Sequence, residues 1–132
     1  MNFDHFAFQV SDMDSSISFY TEKLGFKLKS RATNEKEEEE YAFLEHEDAR
    51  LELIRDLKRD FKKPEIKEPY CPHFCLEVED MGSSVDLLRK NGVPIVHGPI
   101  EIKGDVAWVY FCDPDNNILE YIQRYKKCRE NL

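Results

Sequence analysis

The sequence predicts an α+β fold built twice over, as a strand, a helix and three strands followed by the same order again. Three observations predict it. His5-Phe6-Ala7-Phe8-Gln9-Val10-Ser11-Asp12-Met13-Asp14-Ser15-Ser16 returns, 68 residues on, as His73-Phe74-Cys75-Leu76-Glu77-Val78-Glu79-Asp80-Met81-Gly82-Ser83-Ser84. Over the sixteen positions from His5 and His73 seven are identical, where average residue usage gives roughly one by chance. The same offset recurs where Leu51-Glu52-Leu53-Ile54 matches Leu119-Glu120-Tyr121-Ile122. Finally, each block opens with a hydrophobic period of two and continues with one near 3.6, the marks of a strand and then a helix.

Each element has its own reason. Phe3 to Val10 reads as a strand with Phe6, Phe8 and Val10 on one face and Phe3, His5, Ala7 and Gln9 on the other. Ser11 or Asp12 can cap a helix whose stripe is Met13, Ile17, Tyr20 and Leu24, and Gly25 ends it. Phe26 to Thr33 is a strand, and the acidic run Glu35 to Glu40 an exposed bend. Tyr41 to Leu44 and Arg50 to Arg55 form a hairpin with His46 exposed in its turn and Glu52 on the face of Arg50 and Ile54. Leu57 to Pro69, aperiodic and rich in charge, joins the halves.

The second half replays the first. Pro72, Phe74, Leu76 and Val78 form the apolar face opposite His73; Met81, Val85 and Leu88 stripe the helix; Asn91-Gly92 ends it. Val93 to Val96 is a short strand and Val106 to Cys112 a strong one, rich in β-branched and aromatic residues. The turn Asp113-Pro114-Asp115-Asn116-Asn117 leads into Ile118 to Tyr125. The organisation expected is one domain over 1–132, with a first module over about 1–57, a linker over about 58–69 and a second module over about 70–126.

Composition narrows the function. With 41% hydrophobic and 35% charged residues the chain can bury a core of its own. A net charge of −8 disfavours a nucleic-acid partner, because phosphate binding needs a positive surface. No apolar run is long enough to span a membrane and no leader is visible, so a cytoplasmic protein is expected. Cys71, Cys75, Cys112 and Cys128 lack paired spacing and are expected reduced. Cys71 and Cys75 flank His73 at the period of two, so all three share one strand face.

Each half carries a histidine and, 47 residues later, a glutamate: His5 with Glu52, His73 with Glu120. A repeat folded about a pseudo-twofold axis brings the four to one point, and two imidazoles with two carboxylates suit a divalent metal. Glu120 shares its strand face with Ile118 and Ile122, where a charge needs a partner. His97 has no counterpart in the first half and is read as structural.

On these residues, together with Phe19-Tyr20, Leu24-Gly25-Phe26 and Asp113-Pro114-Asp115, the chain resembles the glyoxalase I/vicinal oxygen chelate superfamily over essentially its whole length. The resemblance implies two βαβββ modules that form a curved open β-sheet cleft around the metal, paired within one chain or exchanged between two. His5, Glu52, His73 and Glu120 match the full glyoxalase I ligand set. This implies a lyase, also described as an isomerase, acting on a hemithioacetal or similar vicinal-oxygen substrate through an enediolate. Glu120 would be the base, with Glu52 its symmetry mate. One divalent ion, nickel or cobalt before zinc, a small-molecule substrate and a homodimer are implied as well. Gln9 stands where the family has an arginine for glutathione, and Arg55-Asp56-Leu57-Lys58 replaces its Asn-Trp-Gly, so glutathione hemithioacetals are expected to be poor substrates. Lys103-Gly104 matches a pair found in the family. The rivals are a thiol transferase conferring fosfomycin resistance, an epimerase, an extradiol dioxygenase, and a non-catalytic resistance protein that binds a small molecule over Trp108 and Tyr110.

Overall fold

The computed structural model describes residues 1–125 of the chain. It divides into two compact units, Met1–Pro64 and Glu65–Leu132. The first holds β1 (Phe6–Gln9), α1 (Met13–Ser18, continued by a π-helical turn over Phe19–Lys23), β2 (Lys27–Asn34), β3 (Glu39–His46) and β4 (Ala49–Asp56). The second holds β5 (Phe74–Glu77), α2 (Met81–Lys90), β6 (Ile95–Ile102), β7 (Val106–Cys112) and β8 (Ile118–Arg124). Strand, helix and three strands thus occur twice. The sheets run β1-β4-β3-β2 and β5-β8-β7-β6, each with its first strand parallel to its last and its other pairs antiparallel.

The alternation of each strand separates a covered face from an open one. On β4, Leu51 and Leu53 are buried with Ala42 and Leu44 of β3, on the side packed by α1. Arg50, Glu52, Ile54 and Asp56 take the other side. On β8, Leu119 and Tyr121 are buried with Val109 and Phe111 of β7, and Glu120 and Ile122 face the opposite way. Both glutamates therefore sit on the face away from their helix.

Several elements depart from the sequence reading. The first strand begins at Phe6 rather than Phe3, which is largely exposed, so His5 immediately precedes β1 and His73 immediately precedes β5. The stripe of the first helix is broken by the π turn, which adds one residue per turn and buries Phe19 together with Tyr20, while Ile17 is only half-buried. The last two residues of the acidic run belong to β3, where Glu40 accepts from Arg31. His46 is no exposed turn residue: it ends β3 with its ring 5.4 Å from that of Phe26. β6 runs to Ile102 instead of stopping at Val96, and register shifts accommodate Gly98 and Pro99, which an edge strand tolerates. Cys71 lies before β5 and so does not share a strand face with Cys75; Cys128 lies outside the described residues. No helix among the described residues is long and apolar enough to cross a membrane.

Repeated sequence gives repeated caps. Asp12 Oδ1 accepts from the Ser15 amide at 3.1 Å and Asp80 Oδ2 from the Ser83 amide at 2.8 Å. These hydrogen bonds satisfy amides that each helix leaves without an internal partner. Backbone and side-chain donors of Ser83 hold the Asp80 carboxyl below the usual carboxylate range. A lowered native pKa contributes stability above the unfolded value of about 3.9 and loses it as pH falls through the native one. Asp80→Ala is therefore expected to be less stable than wild type at neutral pH, with the gap narrowing below about pH 3.9; urea midpoints across a pH series check this.

Candidate metal-binding half-sites

The parallel pairing of first and last strands is what joins residues 47 apart. β1 lies along β4 with Ala7 opposite Glu52, and β5 along β8 with Cys75 opposite Glu120. At the start of each parallel strand the histidine reaches its glutamate. His5 Nε2 is 3.2 Å from Glu52 Oε1, and His73 Nε2 is 3.1 Å from Glu120 Oε1. The glutamate side chains keep only 16% and 14% of their surface, so each carboxylate is held largely out of solvent.

The opposite ring nitrogens fix what Nε2 can offer. His5 Nδ1 lies 2.6 Å from Asp4 Oδ2, and His73 Nδ1 lies 2.7 Å from the backbone oxygen of Cys71. A carboxylate and a carbonyl can only accept, so Nδ1 donates in both. In the neutral imidazole Nε2 then carries a lone pair that faces a carboxylate oxygen, an arrangement of two acceptors. It is favourable when a proton or a cation stands between them. Metal-binding histidines are commonly anchored through the other nitrogen in this way, so the residues fit a divalent ion. Each unit supplies two donors. Among the described residues, no group of three or more His, Cys, Asp and Glu side chains forms a metal cluster.

Neighbouring groups define the electrostatics. The hydrogen bond from His5, and then Arg50, whose Nη1 lies 3.5 Å away, hold the Asp4 carboxyl below its ordinary range. Cys75 is exposed as a residue, yet desolvation of its thiol and then Glu120 push its pKa up to about 12, which keeps it protonated. Burial first and Glu120 second raise the Tyr110 phenol. Cys71 contributes its carbonyl to His73, a role that thiol spacing does not signal.

Asp4 and Phe43 are missed by the sequence reading as site residues, and Tyr110 enters it only as a surface for a bound small molecule in the non-catalytic rival. Adjacency to His5 is the only signal for Asp4. Phe43 and Tyr110 are legible once the hairpin registers are known, because they stand directly opposite Glu52 and Glu120. Trp108 pairs with Ile122 and so shares the open face of Glu120 and Tyr110. Gln9 pairs with Ile54 and lines a cavity of about 300 Å³ with Ala7, Phe8, Glu39, Asp56 and Lys58, on the side of the sheet that carries Glu52. A space of about 310 Å³ between Gly25, Lys27, Lys29, Glu45, His46 and Glu47 borders the β3–β4 turn and includes no member of either pair. Lys103 and Gly104 lie in the exposed β6–β7 turn.

Comparison with known proteins agrees with this architecture. The family model of the glyoxalase/bleomycin resistance protein/dioxygenase superfamily matches residues 2–121. A probable lactoylglutathione lyase of Vibrio parahaemolyticus is 31% identical over 123 residues, covering 90% of this chain and 88% of that protein. A probable chloroplastic lactoylglutathione lyase of Arabidopsis thaliana is also 31% identical over 123 residues and 91% of this chain, which spans only 35% of the plant protein. Among solved structures, the trypanothione-dependent glyoxalase I of Leishmania major superposes with a TM-score of 0.74 at 27% identity, over 96% of this chain and 88% of that one. With the family match spanning nearly the whole chain and the βαβββ order present twice, the chain belongs to the glyoxalase/bleomycin resistance protein/dioxygenase superfamily.

Proposed function

We propose that the chain is a metal-dependent glyoxalase I-like lyase, with His5 and Glu52 supplying one half of a divalent-metal site and His73 and Glu120 the other. The observation that carries this reading is the duplicated half-site, in which an Nδ1-anchored imidazole turns its Nε2 toward a largely buried carboxylate. Two such halves, joined within one chain or between the two copies of a homodimer, make a set of two nitrogens and two oxygens. That set suits nickel, cobalt or zinc. When bound, the ion supplies Lewis-acid stabilisation of negative charge on two neighbouring substrate oxygens.

The residues do the proton work. Substrate is a hemithioacetal, in which a ketone carbon adjoins a carbon bearing hydrogen, hydroxyl and the thioether sulfur. Glu120 removes the carbon-bound proton and returns it to the former ketone carbon, while the hydroxyl proton passes to the neighbouring oxygen, giving a 2-hydroxyacyl thioester. No electrons leave the substrate. Glu52 holds the equivalent position in the other half and can take the same role.

The cavity lined by Gln9, on the side of the sheet that carries Glu52, bears on the thiol. Its polar lining is an amide, two carboxylates and an ammonium, from Gln9, Glu39, Asp56 and Lys58. Lys58 Nζ already donates to the Glu37 carbonyl at 2.6 Å. A thiol carrying two carboxylates finds no surplus of positive charge there. The purified protein is expected to carry close to one divalent ion per quartet and to be most active with nickel or cobalt. In a screen of hemithioacetals made from several thiols, the glutathione adduct is expected to fall below a kcat/KM of about 10⁶ M⁻¹ s⁻¹, inside the range of efficient enzymes. A protein that binds no divalent ion and turns over none of the adducts sinks the reading.

A further inference from the structure

Phe43 and Tyr110 occupy the same place in the two units. Phe43 stands opposite Glu52 on the β3–β4 ladder, and Tyr110 stands opposite Glu120 on the β7–β8 ladder. Each also meets the histidine of its unit almost at right angles. The His5 and Phe43 ring centroids are 5.3 Å apart at 89°, those of His73 and Tyr110 5.4 Å apart at 86°. The sequences of the two hairpins have drifted, so a common geometry found twice is carried by the arrangement itself.

Geometry of this kind limits how an imidazole can turn. Nδ1 is pinned by Asp4 or by the Cys71 carbonyl, but a single hydrogen bond leaves the ring free to swing about that axis. An edge-to-face contact, favoured by the quadrupole of the aromatic ring, removes that freedom. The two contacts together determine where Nε2 points. The aromatic rings are themselves held. Arg50 lies over the Phe43 ring at 5.8 Å and pairs with Asp4, closing a circuit through His5, while Tyr41 packs on Phe43 at 6.0 Å. In the second unit the His97 ring lies 6.4 Å from that of Tyr110, tilted by 33°. This gives His97, read from sequence as structural, a place behind the wedge.

We infer that Phe43 and Tyr110 are positioning residues, aromatic wedges that aim the Nε2 atoms of His5 and His73 at their glutamates and so set the affinity of each half-site for a divalent ion. The inference rests on the metal-site reading above, and one arm of its test is independent of metal. In the metal-free protein, imidazole ¹⁵N shifts report ring tautomer and order. Wild type is expected to show His5 and His73 each as one ordered ring with its Nδ1–H hydrogen bond kept, giving a single set of imidazole signals per residue. Tyr110→Leu should average the His73 signals and spare His5, and Phe43→Leu should do the reverse. Nickel affinity measured by calorimetry should fall about tenfold or more in either Leu variant, as for other groups that orient metal ligands.

Tyr110→Phe and Phe43→Tyr keep the ring and are expected to match wild type in both measurements. Leu variants that retain both the wild-type ¹⁵N pattern and the wild-type affinity overturn the inference. If a Leu variant does not fold, the ring-conserving pair decides: tenfold weakening in either shows that the wedge is not what matters. If wild type takes up no nickel, the metal reading fails, and the ¹⁵N arm alone then judges the positioning role.

Discussion

Glu120→Gln is expected to abolish measurable turnover while leaving the fold intact. The side chain lies between Cys75 on β5 and Tyr110 on β7, its ladder partners, with Oε1 3.1 Å from His73 Nε2. Glutamine keeps the length, the planar group and an oxygen for His73 to face, so the strands lose no packing. What it lacks is a basic oxygen able to take a proton from carbon and give it back. General-base catalysis is worth about 10²–10⁴-fold, and a loss of at least that size is expected in kcat/KM for whichever hemithioacetal wild type handles best. Circular dichroism and metal content measured on the same sample separate a lost base from a lost ion or a lost fold. Wild-type turnover in this variant would remove Glu120 from the chemistry.

The second large effect concerns the turn that delivers Glu120. Asp113 is 3% exposed, and its Oδ1 accepts from the amides of Asp115 and Asn117 at 2.9 Å each, while Oδ2 accepts from the Asn117 side chain at 2.9 Å. One carboxylate thus satisfies three donors in a turn where Asn116 adopts a φ of 63°. Asp113→Ala strands those donors in a place that water reaches poorly. Each unsatisfied buried donor costs about 1–3 kcal/mol, so a loss of about 3–5 kcal/mol is expected in guanidinium unfolding. Asp113→Asn, which keeps one accepting oxygen, should lose clearly less. Equal losses would assign the effect to charge rather than to hydrogen bonding.

The parts of the fold legible in sequence are those in which local pattern and long-range repeat agree. Met81, Val85 and Leu88 lie at helical spacing, and all three are buried. Val106 to Cys112 reads as a strand and is one throughout. The His and Glu of each half could be paired on paper because a constant offset survives at both ends of the repeat. It fails between them, since Phe43 is nine residues before Glu52 whereas Tyr110 is ten before Glu120. A longer turn in the second unit hides the equivalence of the two rings until the ladders are seen. Helical spacing finds Tyr20 but misses Phe19, which is buried beside it where the π turn changes the period. β6 continues past Val96 through Gly98 and Pro99, residues that ordinarily interrupt a strand but that a sheet edge tolerates.

The parallel docking of β1 on β4, and of β5 on β8, has a consequence for how each unit assembles. Among the described residues these are the most distant strand pairings within a unit, and each first strand has a neighbour on one side only. Closing so long a loop carries an entropic penalty that the neighbouring hairpins avoid. The donor pairs sit at those closures, so a cation captured there would bind only the closed form and draw the chain toward it by mass action. Catalytic assembly and completion of the fold would then be one event.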